Sequence, residues 1–126
     1  MQRDVISTTK APGAIGPYSQ AVRATGSFLF CSGQIALTPS GDLVQGDAKQ
    51  QTRQCMANIE GVLTEAGLSF ANVVKTTIYL SSMDYFAAVN EVYGSFFQSA
   101  PPARSTVAAA GLPKGVDVEI EVVAVF

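Results

Sequence analysis

The segment Asp47-Ala-Lys-Gln-Gln-Thr-Arg-Gln-Cys-Met-Ala-Asn-Ile-Glu-Gly-Val-Leu-Thr-Glu-Ala66, followed shortly by Val73-Val-Lys-Thr-Thr-Ile-Tyr-Leu80, decides the fold class. In the first piece Thr52, Cys55, Met56, Ile59, Val62, Leu63 and Ala66 recur at three- and four-residue steps. That spacing lays one apolar stripe along a helix. Asp47 is placed to cap the helix with Gln50 three residues on, and Gly67 is placed to end it. The second piece is β-branched and aromatic, the composition of a strand. A strong helix feeding directly into a strand points to mixed α and β structure.

Working outward, Val5 to Gln20 reads as irregular, punctuated by Pro12, Gly13, Gly16 and Pro17. Two strand-like runs follow, Tyr18–Ala24 and Ser27–Ser32, and Thr25-Gly26 between them predicts a hairpin turn. Thr38-Pro-Ser-Gly41 is a surface turn. Beyond the central strand, Phe86, Val89, Tyr93, Phe96 and Phe97 share one face of a second helix, from about Asp84 to Phe97. Ser82 or Asp84 caps it, and Pro101-Pro102 forbids its continuation. Ala103–Ala109 and Val116–Phe126 are final strands joined by Gly111-Leu-Pro-Lys-Gly115. The order β-β-α-β-α-β-β predicts an α+β sheet with two helices on one face. With no repeat or linker, residues 1–126 read as a single domain.

Composition narrows the chemistry. Histidine is absent, which removes Ser-His-Asp and Cys-His catalysis and imidazole metal sites. Acid–base work falls to carboxylates, Lys, Tyr, Cys or the termini. A net charge of −2 argues against a nucleic-acid surface. Cys31 and Cys55 have no C-x-x-C spacing and read as small buried hydrophobes. Neither a signal peptide nor a membrane span is recognisable, so a cytoplasmic protein is expected. Only 14% of residues are charged, against about 25% in typical domains, and mean hydropathy is +0.25. So charge-poor a chain is expected to hide surface against copies of itself.

Alternation in the last strand puts Val118, Ile120 and Val122 on one face and Asp117, Glu119 and Glu121 on the other. In the preceding strand Arg104, Thr106 and Ala108 go together. If the helices cover one face, Arg104 and Glu119 can share the other, although the sequence does not establish that their strands are neighbours. One reading is a solvated face with a cross-strand ion pair. The other is a pocket closed by the oligomer, with Arg104 gripping a small carboxylate and Glu119 positioning or deprotonating water.

Pro102-Ala-Arg104-Ser-Thr-Val107 with Leu112-Pro-Lys-Gly-Val-Asp-Val-Glu119-Ile-Glu121 resembles the signature of the RidA (YjgF) family. Ala14-Ile-Gly-Pro-Tyr18-Ser-Gln20, Ser32-Gly-Gln34, Val74-Lys-Thr-Thr77, and Asn90 with Tyr93 and Phe96-Phe97 fall in the same order, so the resemblance covers essentially the whole chain. It implies a chorismate-mutase-like α+β fold and a homotrimer with sites between subunits. It implies hydrolysis of reactive enamine or imine 2-amino acid intermediates to 2-oxo acids and ammonia, without metal or organic cofactor. Carried over by position, Arg104 holds the substrate carboxylate, aided by the backbone amides of Gly33 and Thr106. Glu119 holds the attacking water, and Tyr18, Ser32 and Asn90 line the pocket.

Structural roles stay open beside these. Tyr18 also reads as a packing residue after a turn, Asn90 as a helix-surface or inter-subunit contact, and Ser32-Gly33 as a strand-end turn. Glu121 reads as an interface or structural group, and Lys75 as a solvated or interface lysine. Many members carry Cys where this chain has Thr106, and Glu where it has Ala108, which puts substrate preference in doubt. Two rival functions remain: a trimer that binds 2-oxo acids without turnover, and a deaminase of aminomuconate type. RNA cleavage, also linked to the family, is disfavoured by the charge.

Overall fold

The computed structural model describes residues 1–126. Helix α1, Ala48–Glu65, starts as the capping pattern requires. The Gln50 amide donates to Asp47 Oδ1 and the Asp47 amide donates to Gln50 Oε1, both at 2.9 Å, a cap that contributes about 1 kcal/mol. Gly67, at φ +76°, turns the chain out of the helix. Strand β4 is Val73–Leu80, as read from the sequence.

Four strands form the main sheet: β3 (Phe28–Phe30), β6 (Val118–Val125), β4 and β5 (Ala103–Ala108), in the order β3-β6-β4-β5. Strands β4 and β5 are parallel and the other pairs antiparallel. Helix α2, Phe86–Gly94, makes the crossover between β4 and β5 and packs against α1. From α1, Cys55, Met56, Ile59 and Leu63 meet Ile78, Leu80, Val118, Ile120 and Val122 of the sheet and Val89 and Tyr93 of α2 in one buried cluster. Burying each large aliphatic chain contributes about 1.5–3 kcal/mol.

Four expectations are corrected. The predicted hairpin between Tyr18–Ala24 and Ser27–Ser32 does not form. Instead β2 (Ala21–Thr25) pairs antiparallel with β1 (Gln2–Ile6), in a separate two-stranded sheet. Gly26, at φ +137°, lies against the Phe126 carbonyl where a Cβ would collide, and so carries the chain from one sheet to the other. β1 itself overlaps the start of the segment read as irregular. Its Gln2, Arg3 and Asp4 mask a strand held by backbone pairing rather than burial. The second helix is shorter than expected, because Met83–Tyr85 form a 3₁₀ turn capped by Ser82 and the α-helix ends at Gly94. Finally, Cys55 is buried but Cys31 is only half-buried.

Helices cover one face of the main sheet. The other face is open and carries exposed Phe28, Phe30 and Val107. Exposed aromatic residues of this kind on a sheet face are a surface suited to a partner. No helix is long and apolar enough to cross a membrane.

Candidate functional site

Arg104 of β5 is in register with Thr76 of β4, which is in register with Val122 of β6. Thr76 and Val122 are 1% and 2% exposed beneath the helices, so Arg104 lies on the helix-covered face, at its margin. Its Cζ lies 5.3 Å from the Tyr18 ring centroid, 5.3 Å from that of Tyr93 and 5.7 Å from that of Phe86. Its Nη1 donates to Asn90 Oδ1 at 2.6 Å. Phe86, Asn90 and Tyr93 fall at i, i+4 and i+7 along α2, so one helix face meets the guanidinium. Tyr93 is in turn fixed from below by a 2.8 Å hydrogen bond between its hydroxyl and that of Thr76, the residue opposite Arg104.

Tyr18 reaches this corner because its neighbours are tied to β5 and α2. The Ser19 amide donates to the Pro102 carbonyl at 3.2 Å and the Ser19 hydroxyl donates to the Pro101 carbonyl. Pro17 packs against Gly94, where an added Cβ would stand only 3.1 Å from the proline ring.

The electrostatics of the corner are unbalanced. Arg104 has no carboxylate partner, the chain's one ion pair being Lys49–Glu91. Burial lowers the Arg104 pKa from its ordinary value, and Tyr93 and Tyr18 partly offset this. The guanidinium nonetheless stays charged at neutral pH. Burial also pushes the Tyr93 phenol up to about 12, so that ring is neutral. A half-buried cation ringed by neutral groups suits an anion. A second donor lies close by. The Ala109 amide donates to the Leu80 carbonyl of β4 at 2.8 Å, so by alternation the Thr106 N–H points away from β4, to the open edge of β5.

Glu119 is elsewhere. It pairs with Tyr79, on the face opposite Arg104, and β4 separates their strands. The expectation that Arg104 and Glu119 share the uncovered face is therefore wrong for a single chain. Alternation gives parity within each strand, but the phase between strands is set by register, which the β4 insertion determines. Gly33 accompanies Glu119, whose carboxylate fills the space that a side chain on Gly33 would take. Ser32, next to it, is exposed. On the same open face Glu121 accepts a 2.8 Å hydrogen bond from Tyr79, and Lys75 donates to Ser105 at 3.2 Å. The fold thus gathers Arg104, Asn90, Tyr18 and the Thr106 edge in one corner, and Glu119, Gly33 and Ser32 in another. Tyr93 and Phe86 belong to the first corner, although sequence reading gave them only a shared helix face and named neither as a site residue. Their spacing to Asn90 was the available signal.

The larger clefts lie apart from both corners. One of about 550 Å³ lies against Phe70, Phe96 and Phe97. Another of about 680 Å³ lies between α1 and Leu37–Pro39.

A model of the endoribonuclease L-PSP family matches residues 8–126. A RutC family protein of Pyrococcus horikoshii is 50% identical, covering 97% of this chain and 97% of its own. The 2-iminobutanoate/2-iminopropanoate deaminase of Mus musculus is also 50% identical, covering 98% of this chain and 91% of its own. Among solved structures, Escherichia coli TdcF with bound serine superposes with a TM-score of 0.76 at 42% identity, covering 98% of each chain.

Proposed function

This chain belongs to the endoribonuclease L-PSP family, which includes the RidA (YjgF) proteins, and from that premise we propose that it hydrolyses 2-imino acids and their enamine tautomers to 2-oxo acids and ammonia. The observation that carries the reading is the Arg104 guanidinium, half-buried, facing only neutral partners and beside the outward Thr106 N–H. That corner suits the carboxylate common to such substrates.

The reaction starts with the enamine taking a proton at C3 to become the iminium ion, the protonated form of the imine. Arg104 and the Thr106 amide hold the carboxylate, while Asn90 and the aromatic rings fix the guanidinium plane. Glu119 accepts a proton from water as the water oxygen attacks C2, and the C=N pair moves to nitrogen. The proton passes to nitrogen. The carbinolamine then loses its hydroxyl proton as the C–N bond breaks, leaving the 2-oxo acid and ammonia. Positioning supplies part of the acceleration, and general-base help typically adds about 10²–10⁴-fold.

Arg104 and Glu119 lie on opposite faces of one chain, so this mechanism needs a second copy. Homotrimers packed through the open sheet face would bring the Glu119 corner of one subunit to the Arg104 corner of the next. Exposed Phe30, at 77%, and Phe28, at 49%, support that packing. A small-molecule substrate is favoured over RNA because the net charge is −2 and no histidine is present for acid–base cleavage.

The test generates 2-iminopropanoate enzymatically and follows its disappearance with and without the protein, alongside sedimentation equilibrium. Faster disappearance and a trimer mass are expected. Pyruvate binding without any acceleration would overturn the catalytic reading and leave a binding trimer.

A further inference from the structure

Thr106 Oγ1 is the one buried side-chain polar atom in the chain with no hydrogen-bond partner. Thr106 lies in β5 two residues beyond Arg104 and on the same sheet face, in register with Ile78, which itself pairs with Ile120. The hydroxyl therefore points into an aliphatic row that can neither donate to it nor accept from it. Yet Thr106 as a residue is only half-buried, and its N–H faces the open edge beside the guanidinium. A buried hydroxyl without a partner is unfavourable and calls for an explanation in ligand or mechanism.

Threonine side chains occupy staggered wells about the Cα–Cβ bond, and in two of these wells Oγ1 sits ~3 Å from its own amide nitrogen. One 120° step brings the methyl to the place the hydroxyl leaves and moves the hydroxyl to the third staggered position. The methyl then fills the aliphatic row, and the hydroxyl arrives at the strand edge next to its own N–H. Both groups gain by the exchange when an anion is present.

We infer that the Thr106 hydroxyl, after this rotation, adds a further donor to the substrate carboxylate beside the backbone N–H already assigned to it, making Thr106 a specificity-determining residue beside Arg104. The inference rests on the carboxylate reading of the Arg104 corner. The ligand class is a small 2-oxo or 2-imino acid with a free carboxylate. A group carrying no negative charge at that position, such as an amide, gains far less from two donors and a guanidinium together.

Valine has the shape of threonine without the hydroxyl, so Thr106→Val separates the ligand contact from the fold. Calorimetric titration with pyruvate, imine hydrolysis and thermal denaturation are measured on the parent and on Thr106→Val, Thr106→Ser and Arg104→Ala. In Thr106→Val, pyruvate binding should weaken about tenfold, with a melting temperature equal to or above the parent's. Thr106→Ser, which keeps the hydroxyl, should bind within about twofold of the parent. A Val variant that binds pyruvate as the parent does overturns the inference. So does one that loses stability along with binding, since the hydroxyl would then be holding the fold. If Arg104→Ala loses binding while Thr106→Val does not, only the role of Thr106 falls. A parent that neither binds pyruvate nor hydrolyses the imine removes the carboxylate reading itself.

Discussion

Replacing Arg104 tests the functional reading most directly. In Arg104→Ala the guanidinium leaves the space between Tyr18, Phe86 and Tyr93, and Asn90 loses its 2.6 Å donor. Charge-assisted hydrogen bonds contribute about 1.5–3 kcal/mol each. Losing the two parallel bonds to a carboxylate therefore costs about 3–6 kcal/mol, or roughly 10²–10⁴-fold in kcat/KM. The fold should suffer much less. The lost stacking and packing are offset by no longer burying a cation that has no carboxylate partner, and Asn90 at the margin can turn to water. Arg104→Lys keeps the charge, but an ammonium on a flexible stem cannot hold the Asn90 contact and a bidentate carboxylate together, so a loss of about 10–10²-fold is expected. The assay is the decay of enzymatically generated 2-iminopropanoate, with circular dichroism and sedimentation run in parallel. Variants that both keep the parental rate, or that both dissociate into unfolded monomers, would refute the assignment of Arg104 as a ligand anchor.

Further outcomes are expected from the second corner, the open face and the buried phenol. Glu119→Gln should lower kcat by about 10²-fold or more while pyruvate still binds, and a parental rate would remove Glu119 as the base. Gly33→Ala should leave the melting temperature nearly unchanged yet slow turnover, because the atoms nearest the new Cβ all belong to the Glu119 side chain and none to backbone, so Glu119 has to move aside; an unaltered rate would show that the carboxylate position is unimportant. Phe30→Glu puts a charge at the most exposed aromatic of the open face, and should give a folded, inactive monomer by sedimentation. Tyr93 is raised to about 12 from an ordinary value of 10.0, and Cys55 to about 12 from 9.0, each chiefly by burial. Raised folded-state values mean that the native chain holds these protons more tightly than the unfolded one. The stability they confer is thus complete below about pH 9 and is lost as pH rises toward about 12. Alkaline denaturation of Cys55→Ala should show a shallower slope between those limits, and an unchanged slope would discount the thiol.

The elements legible in the sequence are those whose own side chains specify them. Helix α1 carries its stripe, its Asp47–Gln50 cap and its Gly67 stop within one continuous stretch, so its boundaries needed no partner. Strand β4 is apolar on its helix-covered side apart from Thr76, and was equally plain. The β1–β2 pairing was not legible. It rests on backbone hydrogen bonds between segments far apart in the chain, and Thr25-Gly26 looks locally like a hairpin turn. What redirects it is the contact of Gly26 with Phe126, at the other end of the chain.

The same division holds at the site. The residue types came from the sequence: an arginine and a glutamate in the last two strands of the chain, no histidine, and few charged residues. The family motif named Arg104, Glu119, Tyr18, Asn90 and Thr106 before any geometry was known. Only the tertiary structure decided that these residues divide between two faces. The reason is register. The parallel pairing of β5 with β4 aligns Arg104 with Thr76, while the antiparallel pairing of β6 aligns Glu119 with Tyr79, one residue out of phase. Alternation of side chains is a local property of each strand, whereas its phase against a neighbour is fixed by packing across the whole sheet.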